Sequence, residues 1–265
     1  MPPKAVTAIA LGLRWLARRP GFMLLTADDQ TLADQLPGRF ARAWLGVMVV
    51  SLLWGSASVM LWSWTWGLFG DFYGIPFMPV AAVIAVGLLW PYARSVLAMA
   101  ESLVGRDGQR SVAVAALVVV WTLMLLGIRG QDDWPHYLPP ILQWTRPQAM
   151  LRAMLLAPLW GGWAMLLAGQ FSRPSARTEP VVAAFARGCG VFTTMIVLAP
   201  LLLATVTYFN NLPWTQLSIS ATAIIVAAAG GALLCRRWGG LCRSALLATN
   251  MLTQIAFILA YLVHR

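Results

Sequence analysis

The chain carries few charged residues: Asp, Glu, Lys and Arg make up 11% of its 265 residues, whereas soluble domains carry about 25%. Hydrophobic residues make up 60% of the chain, and its mean hydropathy is +0.72. A soluble fold of this length cannot bury so much apolar surface, so we expect lipid to surround most of the chain. The shortage of charge therefore excludes an ordinary soluble enzyme.

Cysteine is also scarce, and Cys189, Cys235 and Cys242 show no CxxC or metal-ligand spacing. We interpret them as small apolar core residues rather than as metal ligands or disulfide partners. The segment QDDWPHY, residues 131–137, brings two aspartates and a histidine together. Such a group can bind a metal, but an interfacial turn anchored by its tryptophan is the favoured interpretation. No metal site is therefore assigned.

Acidic residues number nine against nineteen basic ones, which gives a formal net charge of +10. The basic residues stand in short clusters between apolar runs. That distribution is typical of cytoplasmic loops beside anionic lipid headgroups and not of a nucleic-acid surface. The expected partner is the lipid bilayer, and nucleic acid is not expected.

Seven apolar runs of membrane length predict an all-α, polytopic bundle of transmembrane helices within a single integral membrane domain, residues 1–265. The bundle occupies residues 43–265, and residues 1–42 form a cytoplasmic segment that begins with a short amphipathic helix. The predicted spans are 43–66, 75–98, 111–128, 149–171, 190–209, 217–235 and 241–263.

The loops between these spans predict the orientation of the chain. Fifteen of the nineteen basic residues fall on one side when the N-terminus is placed inside, and four fall on the other side. Because cytoplasmic loops are enriched in Lys and Arg, the N-terminus is predicted to be cytoplasmic and the C-terminus to lie outside. The arginine-rich composition favours a bacterial inner membrane.

The loop GRDGQRS, residues 105–111, is the first candidate site. Arg106 and Arg110 supply two guanidinium groups suited to a phosphate, and Asp107 can hold Mg²⁺ or take part in catalysis. The competing interpretation is a basic cytoplasmic loop that contains one solvated acid. No span carries a mid-membrane Asp, Glu, Lys or His, which disfavours a proton-coupled transporter.

The seventh span carries the second candidate set. Asn250 and Gln254 are four residues apart and share one helical side, and Ser244 stands nearer the inner end. Side chains of this kind either line a polar cavity or hydrogen-bond across a helix contact, and the sequence leaves both possibilities open.

Three stretches resemble one family. Residues 155–188, LLAPLWGGWAMLLAGQFSRPSARTEPVVAAFARG, are similar to the central helix and following loop of cobalamin synthase (adenosylcobinamide-GDP ribazoletransferase). Residues 10–20 resemble that family's N-terminal segment, and residues 236–262 resemble its closing Gly-Gly-rich helix. The resemblance implies an inner-membrane enzyme that uses Mg²⁺ and joins ribazole or its phosphate to a GDP-activated corrinoid at the cytoplasmic face.

The chain differs most from the family at the family's acidic motif. Its Asp-Gly-x-x-Asp-x-x-Asp cluster aligns with Ser95, Met99 and Ser102, with Glu101 adjacent. The later family acids align with Ser244, Met251 and Gln254, and the family's Arg-Asp-Ser-Arg loop aligns with Arg106, Asp107 and Arg110.

Two or more carboxylates are needed to hold the Mg²⁺ that neutralises a pyrophosphate leaving group. Their replacement predicts loss of the transfer reaction with retention of the helix packing. The alternatives are a non-enzymatic membrane subunit or scaffold and, less favoured, a small-solute permease.

Overall fold

The computed structural model describes residues 43–69, 77–89, 93–105, 109–127, 149–172, 174, 178–208 and 213–264. Within these ranges every regular element is a helix, as predicted, and the predicted amphipathic helix in residues 1–42 lies outside them. The helices are α1 (Ala43–Phe69), α2 (Phe77–Leu89), α3 (Ala93–Val104), α4 (Arg110–Gly127), α5 (Ala149–Phe171), α6 (Pro180–Gly188), α7 (Val191–Tyr208), α8 (Pro213–Ile225), α9 (Gly231–Arg237) and α10 (Arg243–Val263).

The helices give the chain the architecture of a multi-pass membrane protein. Five helical segments are long and apolar enough to cross a membrane: α1, α4, α5, α10 and the continuous α8–α9 segment, which contains one π-helical turn at Val226–Gly230. The number rises to seven when each of two bent pairs, α2 with α3 and α6 with α7, is counted as one span. The helices coincide with the predicted spans to within a few residues at most ends.

The second predicted span differs from the structure in its continuity. The axes of α2 and α3 are bent by 83°, and α3 ends at Val104, beyond the predicted limit of residue 98. Pro91 falls in the interval between the two helices, and a proline disfavours helical backbone at the residue before it. The bend turns α3 along α10 and α4, where it forms most of its contacts.

The basic loop predicted after the fourth span contains a helix that the sequence analysis missed. This helix, α6, begins with Pro180 at its first turn, a position where the missing N–H of proline costs nothing. Its axis is bent by 73° from that of α7. The helix α6 therefore runs at a steep angle to α7, and the two form one of the bent pairs counted above.

The centre of the bundle is α5, the fourth predicted span. Within its most apolar window 83% of the residues are buried, against 28% for α4. Its most extensive contacts are with α10 and α1, followed by α7. The rings of Trp160 and Trp163 meet edge to face at 5.6 Å, and Trp160 also stacks on Phe257 of α10 at 5.9 Å. The helix is therefore surrounded by protein rather than by lipid.

Two polar contacts and two glycines hold neighbours close to α5. The indole N–H of Trp160 donates to Thr205 Oγ1 at 3.2 Å, and that of Trp163 donates to the carbonyl oxygen of Thr194 at 3.1 Å, both on α7. A Cβ added at Gly161 would lie 2.8 Å from Gln254 Cγ, and one added at Gly55 of α1 would lie 2.5 Å from a backbone oxygen of α5. Small residues at helix crossings of this kind are typical of membrane bundles.

The peripheral helices present large apolar side chains outward. Leu123 of α4, Phe192 and Leu203 of α7, and Ile225 and Leu233 of the α8–α9 segment are each more than 60% exposed. Water would make such a surface unstable, whereas hydrocarbon solvates it, so this surface faces lipid.

Candidate functional site

Three elements meet at the face predicted to be cytoplasmic, and we call their meeting point the inner junction. It consists of the C-terminal end of α3 (Glu101–Val104), Arg110 at the start of α4, and the turn between α9 and α10 (Arg236–Gly240). This is where the structure places the described part of the first candidate site.

The α3–α4 connection begins at Gly105, whose φ of 78° is a left-handed conformation suited to glycine. Its N–H bonds the carbonyl oxygen of Glu101 at 2.9 Å and closes the last turn of α3. Of the three predicted phosphate-site residues, Arg106 and Asp107 lie outside the described residues. Their placement relative to Arg110 stays a prediction.

Arg110 pairs with Glu101: Nη1 lies 3.1 Å from Oε1, and the side chains are 46% and 26% exposed. An ion pair at this exposure contributes about 0–1 kcal/mol to stability. Glu101 is the acidic residue next to Ser102, one of the positions aligned with the family's acidic motif. The pair therefore assigns Glu101 to orienting an arginine whose side chain is half exposed.

The turn between α9 and α10 supplies two residues that the sequence analysis did not place in a site. Arg237 Nη2 donates to the carbonyl oxygen of Leu103 at 3.2 Å, and Trp238 Nε1 donates to Ser102 Oγ at 3.0 Å. Ser102 in turn donates to the carbonyl oxygen of Ala98 at 2.7 Å. These bonds attach the turn to the end of α3.

The backbone of this turn explains why it is held in one geometry. Gly240 N–H bonds the carbonyl oxygen of Cys235 at 2.8 Å, and Gly239 N–H bonds that of Arg236 at 3.1 Å. With φ of 72° at Gly239, this is the pattern of a Schellman C-cap. The two glycines of the Arg-Arg-Trp-Gly-Gly segment are a local sequence signal for such a cap. The contact of the cap with α3 has no such local signal.

The positions aligned with the family's acidic cluster lie on one face of α3. Ser95, Met99 and Ser102 are 1%, 7% and 3% exposed, and their helix packs along α10, where the aligned Met251 and Gln254 are also buried. Ser95 Oγ has no hydrogen-bond partner among the described residues.

This donor set does not fit Mg²⁺. A hard cation of this kind is bound in proteins through one or two carboxylates, and the buried aligned positions carry hydroxyl, thioether and amide groups. The adjacent carboxylate, Glu101, pairs with Arg110. Across the described part of the chain, no three His, Cys, Asp or Glu residues form a group that could hold a metal ion.

The structure separates one member of the second candidate set, Ser244, from the other two, Asn250 and Gln254. Gln254 Nε2 donates to Asn250 Oδ1 at 2.6 Å, and Asn250 Nδ2 lies 3.4 Å from the sulfur of Met165 on α5. Both amides are buried at the crossing of α5 and α10. Ser244 is partly exposed near the start of α10, about 9 Å along the helix axis from Asn250. The structure therefore brings the two amides together and leaves Ser244 apart from them.

Comparison of the chain with protein-family models, with curated proteins and with solved structures found no significant match in any of the three.

Proposed function

We propose that this protein is a diverged relative of cobalamin synthase in the inner membrane of a bacterium, one that keeps the helix bundle and binds a phosphate-bearing corrinoid or nucleotide at its cytoplasmic face without the Mg²⁺-dependent transfer. The observation that carries the proposal is the buried face of α3. Ser95, Met99 and Ser102, which align with the family's acids, all lie on it. Their neutral side chains give Mg²⁺ no carboxylate there.

The basic character of the inner junction supports the binding half of the proposal. Arg110, at the start of α4, is half exposed beside Glu101. A guanidinium group offers paired N–H donors that match phosphate oxygens. Arg106 and Asp107 belong to the same loop in sequence and complete the proposed phosphate site.

The test of the catalytic half is rescue of a bacterial strain that lacks cobalamin synthase, grown where corrinoid assembly is required. We expect no rescue at matched membrane expression. The variant S95D/M99D/S102D places Asp at the three positions aligned with the family's acids. Its rescue would measure whether carboxylates alone restore the transfer reaction. Full rescue by the unaltered protein would overturn the claim that the transfer is lost.

The binding half is tested with GDP on the purified protein in detergent. We expect binding that Arg110→Gln weakens about tenfold, because a charge-assisted hydrogen bond to phosphate is lost. Arg187→Gln removes an equal charge from an exposed position on α6 and is the matched control. Absence of GDP and corrinoid-phosphate binding would overturn the proposal and favour the alternative, a non-enzymatic membrane subunit or scaffold.

A small-solute permease is the remaining alternative. It is the least supported, because the predicted spans carry no mid-membrane acid, lysine or histidine to couple transport to protons.

A further inference from the structure

The inner junction combines exposed charge with exposed apolar surface. Arg236 and Arg237 end α9 and are exposed, while Leu233, one helical turn before Arg237, is 65% exposed. On the adjoining end of α3, Leu103 and Val104 are 53% and 39% exposed. A cationic head above an apolar strip is the chemistry of a membrane interface, where side chains meet both headgroups and acyl chains.

The contacts at this place determine where the guanidinium of Arg237 lies. One nitrogen donates to the carbonyl oxygen of Leu103 at 3.2 Å, and the next residue, Trp238, bonds Ser102. The Schellman cap restrains the backbone that follows. Because a guanidinium has five N–H donors, donors remain for a second acceptor. The arginine is thus oriented before any ligand arrives, which lowers the entropic cost of binding.

We propose that Arg236 and Arg237 bind the phosphate of an anionic phospholipid, whose acyl chain runs along Leu103, Val104 and Leu233. A soluble phosphate would satisfy the arginines and make no use of the apolar side chains beside them, whereas a phospholipid satisfies both groups at once. The site thereby ties the α9–α10 turn and the end of α3 to the inner leaflet. The inference does not depend on the proposed corrinoid or nucleotide function.

Lipid binding at this place has an alternative explanation, which is a general attraction between basic loops and anionic lipid. The experiment must distinguish it from a specific site. Arg187 on α6 is exposed and lies on the same predicted face. A diffuse effect depends on the number of charges and treats Arg187 and Arg237 alike. A built site responds to the loss of Arg237 far more than to the loss of Arg187.

The experiment is native mass spectrometry of the purified full chain titrated with phosphatidylglycerol or phosphatidylcholine. We expect the unaltered protein to hold one phosphatidylglycerol tightly. Arg237→Gln should lower the affinity for phosphatidylglycerol about tenfold, because a charge-assisted hydrogen bond is lost. Arg187→Gln should change this affinity little. Leu233→Ser is expected to weaken binding as well, since the acyl chain loses its contact. Circular dichroism of each variant checks that the bundle is intact.

Two competition experiments test whether the bound phosphate belongs to a lipid or to a soluble molecule. Inorganic phosphate and GDP, each added in excess, are expected to leave phosphatidylglycerol bound. Displacement by GDP would assign these arginines to a nucleotide site and overturn the lipid assignment, as would displacement by inorganic phosphate. Equal losses in Arg237→Gln and Arg187→Gln, or no loss in either, would also overturn it.

Discussion

Trp238 donates its indole N–H to Ser102 across 3.0 Å, although the two residues are 136 positions apart in the chain. Ser102 lies on the same buried face of α3 as Ser95, whose hydroxyl has no partner among the described residues. The two serines can therefore be compared directly: the hydroxyl of Ser102 joins two elements of the bundle, and that of Ser95 is buried with no hydrogen bond to any described residue.

Ser102→Ala is expected to lower the free energy of unfolding by about 1 kcal/mol, because the indole N–H of Trp238 loses its acceptor. Ser95→Ala is expected to be neutral or stabilising, since it removes a buried hydroxyl that has no hydrogen bond within the described part of the chain. Both are measured by titrating detergent-solubilised protein with SDS and following helicity. Equal effects of the two substitutions would contradict the hydrogen-bond assignment.

Gly161→Ala is expected to destabilise the bundle by about 1–3 kcal/mol. The added Cβ would lie 2.8 Å from Gln254 Cγ and 2.9 Å from the backbone oxygen of Asn250, so α5 and α10 must separate. At Gly67, near the end of α1, an added Cβ would have no heavy atom within 4 Å. Gly67→Ala is therefore the control, and it is expected to stabilise by about 0.5–1 kcal/mol through helix propensity. Thermal unfolding in detergent, read by circular dichroism, ranks the two variants against the unaltered protein.

The amide pair is tested by a double-mutant cycle of Asn250→Ala and Gln254→Ala. The 2.6 Å hydrogen bond between the two side chains, which lie four residues apart on α10, predicts a coupling free energy of about 0.5 kcal/mol. A second cycle pairs Gln254→Ala with Thr207→Ala, a position exposed on α7, and should give coupling near zero. A value near zero in the first cycle would argue that the amides act independently, as two residues lining a cavity would.

Thr205→Val tests the connection between α5 and α7. Thr205 is fully buried, and its hydroxyl accepts from Trp160 Nε1 at 3.2 Å while donating to the carbonyl oxygen of Leu201. Replacement by an isosteric apolar side chain leaves the indole N–H without this acceptor, at a cost of about 1–3 kcal/mol. Thr207→Val on the same helix changes an exposed side chain and should shift stability by less than about 0.5 kcal/mol. SDS unfolding curves that overlap for the two variants would contradict the assignment.

The amino-acid sequence alone determined the class of protein and the positions of most of its helices. Solvation by lipid demands long apolar segments, and Gly, Pro and Arg mark where they end, so the predicted spans and the observed helices agree at most boundaries. Even the Schellman cap is readable in Arg236–Gly240, because its geometry is local. The neutral side chains of Ser95, Met99 and Ser102 are likewise a property of the sequence.

Tertiary structure decided which of these residues meet. Hydropathy does not distinguish a helix surrounded by protein from one surrounded by lipid, so the central place of α5 could not be derived from its composition. After its bend, α3 packs along α10, which is distant in the chain. For the same reason the contacts of Arg237 with Leu103 and of Trp238 with Ser102 were hidden: each joins residues separated by more than 130 positions, and no local pattern encodes such a pairing.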